Sequence, residues 1–436
     1  MNQPKIFQIV VMAVFVILLI LGFLGFSGKI SLPTSGGEID YGQVTLWGTY
    51  PQTTMQEIIL ANMKGNKSIT INYVQKNAKT FNADFIEALA SGKGPDLVLL
   101  AQDEIVKKMD KFIVIPYQTY PERDFKNTFI EEGEMFLLPN GVLALPFTID
   151  PIVMYWNRDI FTSALIPAPP AFWSDFYDLV PKITMRDKDG NIIKSMVAFG
   201  EYSNVSHAKE IVSTLIMQAG SPIVVNTNGS FTAMLSATGG VSAENPVVTA
   251  MRFFIEFSKS DKDSYSWNRS LPESRAMFDA GDLALYFGYA SEYASIRQKN
   301  PHLNFDVALL PQVSKMAAKL TFGRIHGAAI VAASKNQLGA LYAASLLSGQ
   351  SFVGSASASL GLPPVRRDLL AGSPKDAVFS VFYSSALIAR AWYDPSPIET
   401  DSLFMTMIES VTSGRSSMNQ SLNVAQSNMS TLLRAR

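Results

Sequence analysis

The chain contains no cysteine and only three histidines among its 436 residues. Without cysteine there can be no disulfide bond, no thiolate metal site and no cysteine nucleophile. The histidines, at positions 207, 302 and 326, do not form a His-Glu-x-x-His zinc motif. The chain also has no Walker A loop and no Gly-x-Ser-x-Gly nucleophile elbow. The sequence therefore predicts a binding protein without a metal or cofactor, and not an enzyme.

Long runs of one charge are absent as well. The 36 Lys and Arg residues nearly balance the 37 Asp and Glu residues, which leaves a formal net charge of −1. A basic patch is the electrostatic footprint of nucleic-acid-binding proteins, so this class is excluded. Hydrophobic residues make up 47% of the chain, which predicts a folded protein. Because 436 residues exceed the size of one ordinary core, we expect two lobes.

The N-terminus carries the one long apolar run. Residues 6–26 include a single clearly polar side chain, Gln8. A helix of this length spans about 31 Å, enough to cross a bilayer. A cleaved signal peptide is the alternative, but its apolar core is shorter and a small-residue cleavage site follows it. We therefore predict an uncleaved single-pass membrane anchor at 1–28, a Gly-, Ser- and Pro-rich tether at 29–41, and a main domain outside the cytoplasm.

The next hundred residues alternate between strand and helix patterns. An apolar strand at 44–47 precedes a helix at 55–63, and alternating apolar residues at 68–74 predict a second strand. An amphipathic helix at 81–91 then leads to the continuous apolar run 97–100, which is typical of a buried parallel strand. This order is the βαβ alternation of an α/β fold.

Six segments occur in the order and spacing of one protein family. They are GKGPDLVLL (92–100), LPFTIDPIVMYWNRDIF (145–161), FDAGDLALY (278–286), FGRIHG (322–327), GLPPVR (361–366) and TSGR (412–415). With these segments the chain resembles the family-1 extracellular solute-binding proteins of ABC importers, in particular the sugar-type group that includes maltose-binding protein.

The resemblance implies a two-lobed α/β fold of the periplasmic-binding-protein type II, in which each lobe is a sheet flanked by helices. By this similarity, lobe one comprises residues 42–149 and 306–360, and lobe two comprises residues 150–305 and 361–436. The segment with Pro146 and Pro151 would be the hinge, since proline fixes φ. A carbohydrate-like solute would bind between the lobes, which close around it. The importer's permease subunits would then be the partners.

Nine residues are candidate ligand contacts. A sugar needs carboxylates and amides for its hydroxyls and aromatic rings for its apolar faces. The resemblance matches Asp103 and Asp150 to carboxylates that bind sugar in the sugar-type group, and it matches Trp47 to a tryptophan of that group. Of the others, Tyr50, Tyr202, Asn204 and Arg324 lie on predicted loops, Tyr289 follows a predicted strand, and Trp392 lies in the C-terminal part of the chain. The candidates are Trp47, Tyr50, Asp103, Asp150, Tyr202, Asn204, Tyr289, Arg324 and Trp392.

Two positions depart from the family's pattern. Leu100 replaces a tryptophan that contacts sugar, and Tyr289 stands where the family commonly has Gly-Pro-Trp. Tyr155, within the strand that follows the hinge, is predicted to pack in the core and not to face the ligand.

Three other interpretations stay open from the sequence. An amino-acid or peptide binder of the same fold would need an arginine for the ligand carboxylate, and Arg324 is the obvious candidate. A sensor or scaffold ectodomain could keep the fold without transport. A glycosidase pair built on Asp150 would need a second carboxylate about 5–9.5 Å away, a distance that the sequence does not supply.

Overall fold

The computed structural model of the chain describes residues 39–236, 245–314, 318–372 and 374–435. The predicted anchor at 1–28 lies outside the described residues, as does most of the predicted tether at 29–41. Within the described ranges, no helix has the length and apolar character needed to cross a membrane.

The described chain alternates strands with helices. The strands are β1 (Gln43–Gly48), β2 (Thr70–Gln75), β3 (Leu97–Ala101), β4 (Ile115–Pro116), β5 (Leu137–Leu138), β6 (Gly141–Val142), β7 (Leu145–Asn157), β8 (Met185–Arg186), β9 (Ile192–Val197), β10 (Val224–Thr227), β11 (Ser230–Ala233), β12 (Leu283–Tyr289), β13 (Phe305–Ala308), β14 (Thr321–Ile330) and β15 (Ala389–Arg390).

The helices flank these strands. They are α1 (Gln52–Met63), α2 (Phe81–Ala90), α3 (Ile105–Lys108), α4 (Glu122–Thr128), α5 (Arg158–Ser163), α6 (Phe176–Ile183), α7 (Ala208–Gln218), α8 (Pro246–Glu256), α9 (Ser274–Ala280), α10 (Tyr293–Lys299), α11 (Gln337–Leu347), α12 (Gln350–Leu360), α13 (Arg367–Leu370), α14 (Ala377–Leu387), α15 (Pro397–Thr412) and α16 (Met418–Arg434). Short 3₁₀ segments lie at Gln102–Glu104, Met109–Lys111, Glu131–Phe136, Trp173–Asp175 and Ala290–Glu292.

One mixed sheet runs through both lobes in the order β2-β1-β3-β14-β7-β12-β9-β8. The strand β1 is parallel to β2 and β3, as the predicted βαβ alternation requires. Leu97 to Leu100 are at most 4% exposed, which confirms that this apolar run is a buried strand. The strand β14 then pairs antiparallel with both β3 and β7.

The strands β7 and β14 connect the two lobes. Residues 145–151 of β7 pair with β14, while residues 152–157 pair with β12 and β13. We expected a separate hinge followed by a strand at 152–156, and the structure instead forms a single strand of 13 residues. Pro146 lies opposite Gly327, next to a register shift between His326 and Gly327. Proline has no backbone N–H to donate to a β-sheet, and such an irregularity in the strand pairing is where a sheet accommodates it.

Two hydrophobic cores divide the chain. The first is built around β1, β2, β3 and the start of β7, and also includes Ile325 of β14. The second is built around the end of β7, β9, β12 and the C-terminal helices. We call the chain around these cores lobe one and lobe two. Val307 and Leu310, in the segment that the sequence analysis gave to lobe one, pack in the second core because β13 pairs with the end of β7.

Tyr155 of β7 is fully buried in the second core. Its hydroxyl donates a hydrogen bond to the carbonyl of Tyr289 at 2.7 Å. The prediction that Tyr155 packs in the core is therefore confirmed.

Candidate functional site

A cavity of about 600 Å³ lies between the lobes, next to the strands that connect them. Lobe one contributes the loop after β1, the 3₁₀ turn after β3 and the start of α2, while lobe two contributes the turn after β12 and the start of α15. The polar and aromatic side chains that line it are those of Thr49, Tyr50, Thr54, Phe81, Asp103, Glu104, Asp150, Ser291, Arg324, His326 and Ser359. We call this cavity the cleft. Its position allows a ligand to contact both lobes at once.

Asp150 and Arg324 lie directly opposite each other on β7 and β14. The carboxylate of Asp150 accepts a hydrogen bond from the backbone N–H of Ser291 at 3.0 Å, which joins the hinge to the turn after β12. Burial raises the pKa of Asp150 to about 6, although the contact with Ser291 and the positive charge of Arg324 both lower it. The protein therefore holds a partly protonated carboxyl group on the floor of the cleft at mildly acidic pH.

Tyr50 is held in place by two neighbours on the connecting strands. Its hydroxyl lies 2.6 Å from the hydroxyl of Thr148 and 3.1 Å from Nδ1 of His326. Burial, together with the charge of Arg324, lowers the pKa of His326 to about 3. His326 is therefore neutral at physiological pH and acts as a hydrogen-bonding group, not as a cation.

The guanidinium of Arg324 is positioned by an aromatic ring and a carboxylate from lobe two. Its central carbon lies 4.4 Å from the centre of the Tyr289 ring, a cation–π arrangement. One of its terminal nitrogens lies 3.7 Å from Oε1 of Glu210 on α7. The same oxygen accepts a hydrogen bond from the Tyr289 hydroxyl at 3.3 Å. The side chain of Arg324 remains 38% exposed, so its N–H groups can reach a ligand.

A charged network lies behind Tyr289. The carboxylate of Glu292 binds Nε2 of His207 at 2.7 Å and a guanidinium nitrogen of Arg275 at 2.6 Å, and it accepts a hydrogen bond from the Tyr286 hydroxyl at 2.7 Å. Burial opposes ionisation of Glu292, but these contacts lower its pKa to about 2. The same carboxylate accepts a hydrogen bond from the backbone N–H of Tyr289 at 2.8 Å, so it fixes the turn that contributes Ser291 to the cleft.

Asp103 and Glu104 face the cleft from the 3₁₀ turn after β3. Glu104 is paired with Lys108, whose Nζ lies 2.7 Å from its carboxylate. Within the described ranges, Asp103 takes part in no hydrogen bond or ion pair. Its carboxylate is therefore available to a ligand.

Four of the nine sequence-predicted residues line the cleft, namely Tyr50, Asp103, Asp150 and Arg324. Tyr289 lies directly behind them, 3% exposed, with Arg324 on its ring. The candidates predicted at strand ends and in the hinge thus lie close together, because β1, β3, β14 and β7 are neighbours in the sheet.

The other four predicted residues do not line the cleft. Trp47 is 8% exposed in the first core, with Nζ of Lys76 3.7 Å from its ring centre. The hydroxyl of Tyr202 donates to Asp401 at 2.7 Å. Asn204 donates to backbone carbonyls near residue 268 and accepts from an indole N–H. Trp392 donates from its indole to the hydroxyl of Ser213 at 3.1 Å.

Several polar groups at the site were not among the nine candidates. His326 follows Arg324 by two residues on β14, so the alternation of a strand places both on the same face. Glu210 and Ser291 carry no comparable signal, because one lies in the first turn of α7 and the other in a turn after β12. Their proximity to the cleft depends on how the lobes pack and not on a local pattern.

Comparison with known proteins now identifies the family. Residues 48–347 match the family described as bacterial extracellular solute-binding protein. The chain belongs to this family. The match begins at the end of β1, includes both connecting strands and ends with α11, so it confirms the predicted resemblance. A protein of Brucella abortus strain 2308, named only as a binding protein, is 22% identical over 328 residues, which cover 72% of this chain and 74% of that protein.

Solved structures share the fold. The cyclic alpha-maltosyl-1,6-maltose binding protein from Arthrobacter globiformis has a TM-score of 0.73 at 15% identity, covering 90% of this chain and 99% of that one. A cyclo/maltodextrin-binding protein complexed with maltotetraose has a TM-score of 0.71 at 18% identity, covering 92% and 99%. An ABC transporter solute-binding protein from Thermotoga lettingae, bound with alpha-D-tagatose, reaches 0.65 at 19% identity, covering 90% and 100%. The predicted two-lobed α/β fold is therefore confirmed.

Proposed function

We propose that this member of the family captures a carbohydrate-like solute in the cleft and delivers it to an ABC importer. The observation that carries the proposal is the cleft itself, which both lobes line and whose floor is formed by the strands that connect them. A solute seated there would be enclosed when the lobes close, as hinge residues absorb the backbone change. The chain would bind its solute and perform no chemistry on it.

The side chains of the cleft suit a polyol. Asp103 and Asp150 supply carboxylate acceptors, while Arg324 supplies N–H donors that are not fully engaged within the protein. Tyr50 and Phe81 supply aromatic surface for the apolar face of a sugar ring. The sugars named with the three neighbouring structures, and the extracellular description of the family, support the same ligand class and compartment.

Two contacts would couple solute binding to lobe closure. Asp150 on the connecting strand accepts the N–H of Ser291 from lobe two, and Arg324 lies beside Glu210, also from lobe two. A solute that binds Asp150 and Arg324 would therefore act on the groups that join the hinge to lobe two. The proposal requires that the solute bind the closed arrangement more tightly than the open one, because only a differential affinity shifts a two-state equilibrium.

The proposal includes the predicted position of the protein in the cell. The apolar run at 6–26 would anchor the chain in the membrane, and the tether that follows would let the lobes reach the importer. The importer's permease subunits would dock on the faces of both lobes. The family's extracellular description supports the placement of the main domain outside the cytoplasm.

A thermal-shift screen of the full-length chain tests the proposal. The panel contains mono- and oligosaccharides, amino acids, short peptides and divalent metal ions. A ligand at 100 times its dissociation constant adds about 2.7 kcal/mol to the free energy of unfolding, which raises the melting temperature by a few degrees. We expect a sugar to do so, and we expect Asp150→Ala to abolish the effect.

Asp178→Ala is the matched control, since Asp178 is an exposed carboxylate on α6 outside the cleft. This variant should keep the full response to the sugar. Stabilisation by amino acids or peptides alone would still support a ligand-binding cleft, but it would contradict the proposal that the ligand is a carbohydrate. No response to any member of the panel would favour a sensor or scaffold role.

A further inference from the structure

The charged groups around the cleft do not balance. Glu104 is paired with Lys108, and Glu292 is paired with His207 and Arg275. Asp103 and Asp150 are left without an ion-pair partner within the described ranges, although both line the cavity. The surplus of carboxylates is therefore located where the ligand binds.

Lys209 and Arg324 both interact with the charge of Asp103, but each also has other carboxylates to offset. Lys209 of α7 uses its three N–H groups on Asp394 at 3.0 Å, the carbonyl of Pro397 at 3.1 Å and Thr400 at 3.4 Å. Arg324 has one positive charge, and it lies beside Glu210 and opposite Asp150. Because His207 and Lys209 also offset the charge of Glu210, one guanidinium is left facing Asp103 and Asp150 in the cleft, and the potential there favours a cation over an anion.

The aromatic surface of the cleft is small for an oligosaccharide site. The chain has five tryptophans, and none of them lines the cavity. Trp47, Trp173, Trp267 and Trp392 are at most 8% exposed, and Trp156 packs against the second core. Without an indole face for a sugar ring to stack on, affinity has to come mainly from hydrogen bonds and charge.

We propose that the solute is an amino-bearing carbohydrate, whose protonated amine is bound by the unpaired carboxylates of Asp103 and Asp150 while its hydroxyls are bound by Arg324 and Ser291. This inference rests on the proposed function, because it assigns a ligand class to the same cleft. A protonated amine donates up to three charge-assisted hydrogen bonds to carboxylates, which are stronger than those of a neutral hydroxyl. A sugar acid would bring its carboxylate close to Asp103 and Asp150, and the cleft therefore disfavours it.

Calorimetric titration of the full-length chain with matched sugar pairs tests this inference. The pairs are glucosamine against glucose, galactosamine against galactose, and the glucosamine dimer against cellobiose. N-acetylglucosamine and glucuronate are added because the first lacks the charge and the second reverses it. We expect at least one amine to bind about tenfold or more tightly than its neutral partner, the gain typical of a hydrogen bond to a charged group. We expect the acetylated sugar and the sugar acid to lose this gain.

Three variants separate charge from shape. Asp103→Asn and Asp150→Asn keep the size and hydrogen-bonding ability of the side chain and remove its negative charge. Each should reduce the preference for the amine about tenfold, with a smaller effect on the neutral sugar. Asp178→Asn, which removes a charge outside the cleft, should leave the preference unchanged.

The outcomes distinguish this inference from the proposed function. Equal or tighter binding of the neutral sugars would overturn the amino-sugar ligand and keep a carbohydrate-binding cleft. If both Asp103→Asn and Asp150→Asn keep the preference for the amine, the protonated amine of the sugar binds elsewhere and the inference is overturned. Failure of every sugar, whether amine-bearing or neutral, would overturn both proposals.

Discussion

Asp150 is the residue on which the account depends most. It lies on the strand that connects the lobes, lines the cleft and accepts the N–H of Ser291 from lobe two. The sequence alone singled it out, because it is a carboxylate between two prolines in a segment that resembles the family's hinge. What the sequence could not show is its environment, in which burial raises its pKa to about 6.

This raised pKa predicts a pH-dependent stability difference between Asp150→Asn and the parent. Below the ordinary pKa of 3.8 the carboxyl is protonated in both the folded and the unfolded chain, so its burial costs little. Above about 6 it is ionised in both, and the folded state bears the cost of a buried charge. The free energy of unfolding of the parent therefore falls as pH rises between these values. That of Asp150→Asn does not fall for this reason, because asparagine does not ionise.

Denaturant unfolding of both proteins between pH 4 and pH 8 measures this difference. The variant's advantage should grow as pH rises through about 6 and then level off, with a total change on the order of 1–3 kcal/mol. A difference that is the same at every pH would contradict the assignment of the titration to Asp150. Asp178→Asn, at an exposed position on α6 outside the cleft, is the control for replacing an aspartate by asparagine.

Trp47 is a predicted ligand contact that does not line the cleft. Trp47 was selected because it ends the first predicted strand and matches a tryptophan of the group that the chain resembles, yet its ring packs in the first core under Lys76. In a strand, successive side chains point to opposite faces, so a shift of one residue decides between core and cleft. A single sequence does not fix that register, whereas an ionisable residue such as Asp103 or Asp150 is costly to pack among apolar side chains.

At the scale of elements, the turn after β12 is the part of lobe two that reaches the hinge. Its geometry depends on Glu292, which binds the N–H of Tyr289 and Nε2 of His207. Gly288 lies just before this turn. A Cβ there would come within 2.5 Å of the Tyr286 ring and 2.8 Å of a Glu292 carboxylate oxygen.

We therefore predict that Gly288→Ala destabilises the protein by about 1–3 kcal/mol, the usual cost of overpacking a rigid site. Because the carboxylate would be displaced from its partners, the variant should also weaken solute binding. Thermal unfolding and calorimetric titration measure the two effects. A variant with parental stability and affinity would show that the turn adapts and that Glu292 does not fix it.

Gly354→Ala provides the matched control on α12. The nearest atom to its added Cβ is Cδ1 of Leu369 at 3.9 Å, an ordinary contact. Since alanine is the better helix former, this variant should be neutral or more stable by up to about 1 kcal/mol. Destabilisation by the control as well would mean that any added methyl group is harmful in this protein.

The elements themselves were largely predictable. The strands β1, β2 and β3 and the helices α1 and α2 follow from local apolar patterns, and the structure places them within a few residues of the predicted bounds. The connecting strand β7 was less predictable, because its two prolines indicated a break and not a continuous strand of 13 residues. Pairing with β14 on one half and with β12 and β13 on the other overrides that local signal.

At the scale of the whole molecule, length and the resemblance predicted two α/β lobes, and the structure shows two cores joined by β7 and β14. Contacts such as Glu210 with Arg324 depend on the packing of lobe two against the hinge, so no local pattern in the sequence announces them. The exposed ion pair between Lys107 and Glu399, 3.2 Å apart, also joins the lobes but adds little stability because solvent screens it.

The most direct test of the account is whether the solute closes the lobes. Since the chain has no cysteine, spin labels can be placed specifically with Lys64→Cys in lobe one and Lys182→Cys in lobe two, both at exposed helix ends. A second pair, Lys64→Cys with Lys335→Cys, lies within lobe one and serves as the control. Distances are measured by pulsed electron resonance, with and without the stabilising solute, in the parent and in Asp150→Ala.

We predict that saturating solute shortens and narrows the interlobe distance distribution, leaves the distribution within lobe one unchanged, and has no effect on the interlobe pair when Asp150 is replaced by alanine. A solute that binds by calorimetry while the interlobe distribution stays the same would contradict capture between the lobes.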